Sequence, residues 1–356
     1  MCPWLECGIL NAPGNYVYDV PSDEVLMNPL RIGVVGVGHL GTLHVKMLSD
    51  MPGVALAGVY DTDASKAQKV AGDYGITSFA TLEALLESVD AATVATSTTA
   101  HSAVAKTAIG HGVHLFMEKP ITETVAEADD LCRLAEEKGV LIQVGHIERF
   151  NPAILALAEY TIKPLFIESH RLAQFKPRGT DVAVVLDLMI HDIDLILSFV
   201  KSPVRRIDAN GVAVVSDTID IANARIQFEN GCVANVTASR ISQRSMRKMR
   251  LFQPNAYISI DFSEGIAEVF QLLPEDAPAV RGGMVLGEMG LGKHRKRIVY
   301  EQPEPREVNA LRHELQLFAQ SVTTGTPPVV SAREAKQALE VATRIMQIIS
   351  QQQLPE

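Results

Sequence analysis

Residues 30–41 read LRIGVVGVGHLG, an apolar strand that runs into Gly36, Gly38 and Gly41 and then into a helical segment. No other feature of the chain restricts its fold as much. A strand with no polar alternation has to be covered on both faces, which is the condition of a parallel sheet inside an α/β layer. The unit then repeats: VALAGVYD before DASKAQKVAGDYG, AATVAT before AHSAVAKTAIGHG, VHLFMEKP before TVAEADDLCRLAEEKG, and a last strand LIQVGHI. Gly112 and Gly139 stand where helices end and a left-handed residue is wanted. The alternation predicts an α/β Rossmann domain over residues 30–150.

Three glycines in that spacing are weak on their own, but here they sit between a strand and a helix. They permit a tight turn and close approach of a pyrophosphate, and the next helix offers free N–H groups to it. Gly36, Gly38 and Gly41, with His39 and Leu40 between them, are therefore expected to hold a dinucleotide. The second strand ends in Asp61, at the distance expected of a ribose-binding acid. A carboxylate there accepts from both ribose hydroxyls and repels a 2′-phosphate. No Arg or Lys follows before Lys66, so NAD is expected over NADP. Thr96 and Ser97, at the end of AATVAT, are expected on the cofactor as well.

At residue 151 the pattern changes. Asn151 is placed to cap a helix with Pro152 in its first turn. From about 203 to 270 strands dominate: DIANARIQF and CVANVTAS alternate apolar and polar positions around a turn at 229–231, and AYISIDF continues the pattern. These predict an α+β C-terminal domain with a large open, mostly antiparallel sheet and one polar face. Glycine-rich 280–294 reads as a loop, and helices are expected over 306–324 and 332–352. The expected division is an irregular arm over 1–29, the Rossmann domain over 30–150 and the second domain over 151–352. Met27, just before the first strand, is the expected natural start.

Composition narrows the function classes. A net charge of -10 argues against a nucleic-acid binder. Four cysteines without paired spacing indicate neither a disulfide framework nor a metal site, and suggest a reduced, cytoplasmic protein. There is no run of about 18 apolar residues, so no membrane span is expected, and the N-terminus does not read as a signal peptide.

Three stretches carry candidate chemistry. MEKPIT puts Glu118 and Lys119 at the C-terminal end of a parallel strand, the edge where ligands bind, and Pro120 favours an extended Lys119. GHIERFNP brings His146, Glu148, Arg149 and Asn151 to the same edge, where they are expected on the substrate. VLDLMIHDIDLIL, residues 185–197, sets Asp187, His191 and Asp194 at i, i+4 and i+7, one line along an otherwise apolar helix. Asp192 falls off that line and is expected to be exposed or in an ion pair. A cation beside a substrate hydroxyl stabilises a developing alkoxide, and a neutral imidazole accepts its proton.

GVGHLG, EKPIT and the spacing of Asp187, His191 and Asp194 together resemble the glucose–fructose oxidoreductase, inositol dehydrogenase and MocA family, over about residues 30–350. The resemblance implies NAD(P)-dependent chemistry at a sugar-like carbon. It implies Lys119 and His191 as the catalytic pair with Asp187 beside them, and a homodimer or homotetramer joined through the C-terminal sheet. Where the family commonly has Pro and Asn before a His, this chain has TSTTAHS, keeping His101 without the proline. GHIERFNPA, DVAVVLDLMIHDIDLIL and SRISQRSMRKMRLFQPNAYISIDF further resemble the UDP-N-acetylglucosamine 3-dehydrogenase branch. That branch oxidises the sugar C3 hydroxyl on the route to amino sugars and lipid A. The basic residues Arg240, Arg244, Arg247, Lys248 and Arg250 suit a diphosphate, and the first three are expected on the substrate. A free-polyol dehydrogenase, a bilin reductase and a non-catalytic dinucleotide-binding regulator are the alternatives.

Overall fold

The computed structural model describes residues 29–175, 182–278, 282–290 and 295–352. The expected arm and Met27 lie outside them, except for residue 29.

The first layer runs β1 (Leu30–Val35), α1 (His39–Leu48), β2 (Val54–Tyr60), α2 (Ala64–Tyr74), β3 (Thr77–Ser78), α3 (Leu82–Leu86), β4 (Ala91–Val94), α4 (Thr98–Gly110), β5 (His114–Glu118), α5 (Val125–Lys138) and β6 (Ile142–Gly145). The strands form one parallel sheet in the order β3-β2-β1-β4-β5-β6. Ile32, Val34, Val59, Ala91 and Phe116 bury one side, and Val35, Val94, Leu115, Met117 and Val144 the other. The repeated strand–helix units thus give the expected Rossmann-type sheet. The short β3 and α3 are additions that the alternation did not announce, since two residues of strand carry no period.

The second layer comprises α6 (Pro152–Leu155), β7 (Phe166–Leu172), α7 (Ile190–Val200), β8 (Val204–Val212), β9 (Ile221–Phe228), β10 (Val233–Ser239), β11 (Met246–Gln253), β12 (Ala256–Asp261), β13 (Ile266–Pro274), β14 (Met284–Met289) and β15 (Lys296–Glu301). They form a nine-stranded sheet in the order β14-β15-β13-β12-β11-β7-β10-β9-β8. Its pairs are antiparallel except β7 with β10. The inner face packs Ile167, Ala224, Ile226, Val236, Leu251 and Ile260 against α7. The outer face carries the other half of each strand, polar side chains together with Phe166, Phe252, Tyr257, Phe270 and Tyr300. The turn at 229–231 is present, with Gly231 at φ 89°.

One expectation fails here. Within 280–294, residues 284–289 are a strand and not a loop, paired with β15. Its side chains are largely exposed, so no alternation marks it, and only the partner strand makes it extended.

Two helices close the chain, α8 (Ala310–Thr324) and α9 (Ala332–Gln352). The first starts later than expected because Asn309 caps it, accepting from the Arg312 N–H. Leu315 and Phe318 of α8 return to the first sheet, where Phe318 packs edge-on to Phe116. Helix α9 joins the two layers: Ala335 and Leu339 enter the first core, and Ala338, Ala342, Ile345 and Ile349 the second. Among the described residues no helix is long and apolar enough to cross a membrane.

Candidate active site

Strand order reverses between β1 and β4, and ligands of open parallel sheets bind at such a switch point. Gly36 lies there at φ 84°, with no room for a Cβ, which would meet the Ala95 carbonyl and the Thr96 methyl at 2.9 Å. A Cβ on Gly41 would fall 1.8 Å from the Gly36 carbonyl, so α1 and its loop pack backbone to backbone. Gly38, His39 and Leu40 form an exposed lip, and a Cβ on Gly38 would meet nothing. Helices α2, α3 and α5 are capped by the side chains of Asp63, Thr81 and Thr124. Helices α1 and α4, which follow the two switch-point strands, start without a side-chain cap. No side chain takes up their first N–H groups, which suits both termini to an anion, although the Ala100 N–H of α4 already donates to the Ser97 carbonyl.

Asp61 accepts from the Val37 N–H at 2.7 Å and from the Asp63 N–H at 2.9 Å, which holds the acid against the glycine loop. Lys66, the next cation along the chain, is engaged with Asp63 at 3.3 Å. Ser97 is exposed at the start of α4, with Thr96 one residue before it against Gly36. His101 is buried, its Nδ1 3.0 Å from the Pro120 carbonyl, so it braces the turn after β5. These residues fit a nicotinamide dinucleotide along the β1–β4 crevice.

The end of β5 approaches the second layer. The Lys119–Pro120 peptide bond is cis. Lys119 Nζ donates to the Asp187 carbonyl at 2.8 Å and lies 3.5 Å from its carboxylate. Burial lowers the proton affinity of Lys119, and the Asp187 and Glu118 charges push it back up. Glu118 itself is held by His44 Nε2 at 2.9 Å. His191 stays neutral well below its ordinary range: burial comes first, then the charges of Lys119, Arg171, His146 and Arg247. Lys119 and Asp187 thus meet although 68 residues separate them, and the charges of Lys119 and His146 are felt at His191.

The segment carrying Asp187 and His191 is not one continuous α-helix. Val185–Met189 form a π-turn that leads into α7, a device common at functional sites. The expected single polar line is correspondingly wrong. Asp187 stays partly exposed at the site, whereas Asp194 turns inward and accepts both Arg149 Nε and Nη2 at 2.7 Å. Asp192 is buried, and it is ion-paired: Arg171 Nε reaches it at 2.7 Å and Nη2 at 3.2 Å. Helix α7 is buried on nearly every side, between the sheet, α9 and the Ile147–Phe150 3-10 turn, so its acids need internal partners.

This arrangement takes some expected substrate contacts out of reach. Arg149 is buried and engaged by Asp194 and by Glu334 at 3.0 Å. Glu148 accepts Arg171 Nη1 at 2.7 Å and Asn151 Nδ2 at 3.1 Å. Asn151 caps α6 by accepting from the Ala153 N–H and donates to the Phe262 carbonyl. Arg240 is buried, donating to the Val182 carbonyl with Nε 3.8 Å from Asp220. Lys248 pairs with Asp261 at 3.0 Å and Arg250 with Glu168 at 3.6 Å on the sheet's outer face. The basic run therefore splits three ways, because alternate strand residues face opposite sides. Arg244 is exposed on the β10–β11 connection, and Arg247, half exposed, stands 4.0 Å from Glu148 at the mouth of the site.

Sequence reasoning missed Arg171 and His44. Each breaks an apolar period: Arg171 occupies an inward position of β7 after Ile167 and Ser169, and His44 the inward face of α1 between Gly41 and Val45. A polar residue at a core-facing position is the signal for such partners. A cavity of about 1340 Å³ opens behind α7, lined by Tyr160, Phe199, Val341 and Arg344, but neither Lys119 nor His191 lines it.

A crevice that fits a nicotinamide dinucleotide, with a part-buried lysine at the end of the neighbouring strand β5, is the arrangement of an oxidoreductase. The chain belongs to the GFO/IDH/MocA oxidoreductase family. Its residues 30–146 match the family's NAD-binding Rossmann fold, and 168–267 its C-terminal domain. A UDP-N-acetylglucosamine 3-dehydrogenase from Acidithiobacillus ferrooxidans is 40% identical over 254 residues, 71% of this chain and 80% of the relative. A solved structure of the enzyme of that name from the same organism superposes with a TM-score of 0.80 at 34% identity, covering 91% of this chain and 98% of that one. The myo-inositol 2-dehydrogenase of Thermotoga maritima is 24% identical over 329 residues, 87% of this chain and 93% of the relative.

Proposed function

We propose that this oxidoreductase uses NAD to oxidise a ring hydroxyl of a UDP-linked sugar to a ketone, at C3 of UDP-N-acetylglucosamine. The observation that carries the sugar nucleotide is Arg247. It is a half-exposed cation beside the site, close enough for its charge to act on His191, and with Arg244 it suits a diphosphate rather than a free polyol. The 40% identical UDP-N-acetylglucosamine 3-dehydrogenase supports the same substrate. The 3-keto product is chemically ready for transamination, which fits amino-sugar and lipid A synthesis. NAD over NADP is supported by Asp61 and by Lys66, the next cation along the chain, being paired with Asp63.

In this reading the substrate hydroxyl lies between Lys119 and His191. His191, kept neutral by burial and by the surrounding cations, takes the hydroxyl proton. Lys119, fixed by the Asp187 carbonyl, stabilises the negative charge that grows on the oxygen. A bound nicotinamide dinucleotide supplies the hydride acceptor. Asp187 favours the charged ammonium against its burial, and Glu118 is steadied by His44.

The outer sheet face supports an assembly of two or four copies. Phe166, Phe252, Tyr257, Phe270 and Tyr300 form a continuous aromatic ladder across five neighbouring strands, with centroids 5.0 to 5.8 Å apart.

NAD reduction with a panel of UDP-sugars and free polyols tests the substrate. Turnover of UDP-N-acetylglucosamine is expected; activity on inositol alone overturns it and favours the polyol reading that the inositol dehydrogenase relatives keep in view.

A further inference from the structure

We propose that His146 is a proton-relay residue, receiving through a bridging water the proton that His191 releases when it deprotonates the substrate hydroxyl. The inference rests on the reading of Lys119 and His191 as the reacting groups.

His146 follows β6 at the start of the 3-10 turn and is 1% exposed. Neither of its ring nitrogens has a hydrogen-bond partner among the described residues, and the same holds for the buried Nδ1 of His191. Buried polar atoms are nearly always satisfied, and a water is the usual partner of such orphaned nitrogens. A histidine base normally has its second nitrogen steered by a carboxylate. Here the acids of α7 and its π-turn are committed elsewhere: Asp187 to Lys119, Asp192 to Arg171 and Asp194 to Arg149. His146 is the imidazole packed against this stretch of α7: its Nδ1 lies 3.9 Å from Asp194, one helical turn beyond His191, and its charge acts on His191.

The surroundings of His146 suit a proton held briefly. Arg149 and Lys119 oppose its charged form. Glu118 favours that form, as does Asp194, whose Oδ2 lies 3.9 Å from Nδ1. Burial keeps the ring neutral at rest. Asp194 is clamped by Arg149 as a carboxylate and steadies the imidazolium without taking its proton.

The step balances as follows. The substrate O–H bond breaks and its proton bonds to one nitrogen of His191. The N–H proton on the other nitrogen passes through the water to an unpaired nitrogen of His146. The C–H electron pair would leave as hydride, for which a bound nicotinamide dinucleotide would be the acceptor. One proton then rests on His146 until product departs and solvent takes it back along the same route.

The test compares His146→Gln and His146→Phe with wild-type enzyme, using the sugar that reduces NAD in the panel above. Expected is a loss in kcat of about 100-fold in both variants. KM for sugar and for NAD should stay within about twofold, and the solvent deuterium effect on kcat should increase. A raised KM with unchanged kcat makes His146 a substrate contact and overturns the relay. So does a wild-type kcat in His146→Gln. In wild-type enzyme, stopped-flow with a pH indicator is expected to show proton release lagging behind hydride transfer; simultaneous release also overturns it, whatever the variants' folding. His191→Ala and Lys119→Ala run alongside. If they keep turnover, the site reading fails and takes the relay with it. If they are inactive while His146→Gln is normal, the relay alone fails.

Discussion

Lys119 and Asp187 meet twice: the ammonium donates to the backbone carbonyl at 2.8 Å and faces the carboxylate at 3.5 Å. The carbonyl positions the cation, and the carboxylate helps to keep it charged in a buried place. Asp187→Asn keeps the first contact and removes the second. Because the Asp187 charge raises the proton affinity of Lys119, its loss lowers it further. The alkaline limb of the kcat/KM profile is therefore expected to move to lower pH in Asp187→Asn. An unmoved limb would separate Lys119 ionisation from turnover.

Acid is expected to act on both activity and stability through the buried histidines. His101, His146 and His191 are all pushed below the ordinary histidine range, first by burial. Above about pH 6.5 they are neutral in the folded and the unfolded chain, so they carry no penalty. As pH falls below that value the unfolded chain takes up protons that the folded protein refuses, and stability drops. Urea midpoints measured against pH should begin to fall near 6.5, before the paired carboxylates titrate. The acid limb of kcat/KM should lie below 6.5, since His191 stays neutral there. A limb above 6.5 would contradict the environment described.

Breaking the Arg149–Asp194 pair is expected to unfold rather than to desensitise. Both groups are buried, and two short bonds join them. Asp194→Asn leaves an underpaired buried guanidinium at a cost of about 3–5 kcal/mol. Denaturant titration should show the loss, with substrate KM near wild type in whatever fraction stays folded.

The basic run should divide by function. Arg247→Ala is expected to raise KM for the UDP-sugar by about 10-fold, in line with the loss of one charge-assisted bond, with a smaller change in kcat. Arg240→Ala should lower Tm instead, because its guanidinium ties Val182 to the Asp220 loop. That loop is itself held by Asp220 accepting from the N–H groups of Val214, Val215 and Ser216. Steady-state kinetics and calorimetry on the two variants separate the roles; identical behaviour would argue against the division.

Local sequence determined the first layer. Apolar strands, helix-closing glycines and the GVGHLG turn are short-range signals, and they yielded the parallel sheet, the crevice glycines and Asp61 at the end of β2. The same period-based reading anticipated the alternating strands and hairpin of the second sheet. It was blind to β14, whose extended form comes from its partner β15.

Side-chain pairing was beyond it for a physical reason. The destination of a buried charge is set by whichever element packs opposite, and that element is distant in sequence: Arg149 finds Asp194 from 45 residues away, Arg171 finds Asp192 from 21, and Lys119 finds Asp187 from 68. A helical wheel drew Asp187, His191 and Asp194 on one side. The π-turn and burial on nearly every face of α7 gave each a separate task. The residue types for the chemistry were written in the chain; which of them remain open to a substrate, and which are used up in holding the two layers together, was decided by desolvation at the junction, where every buried charge has to be matched.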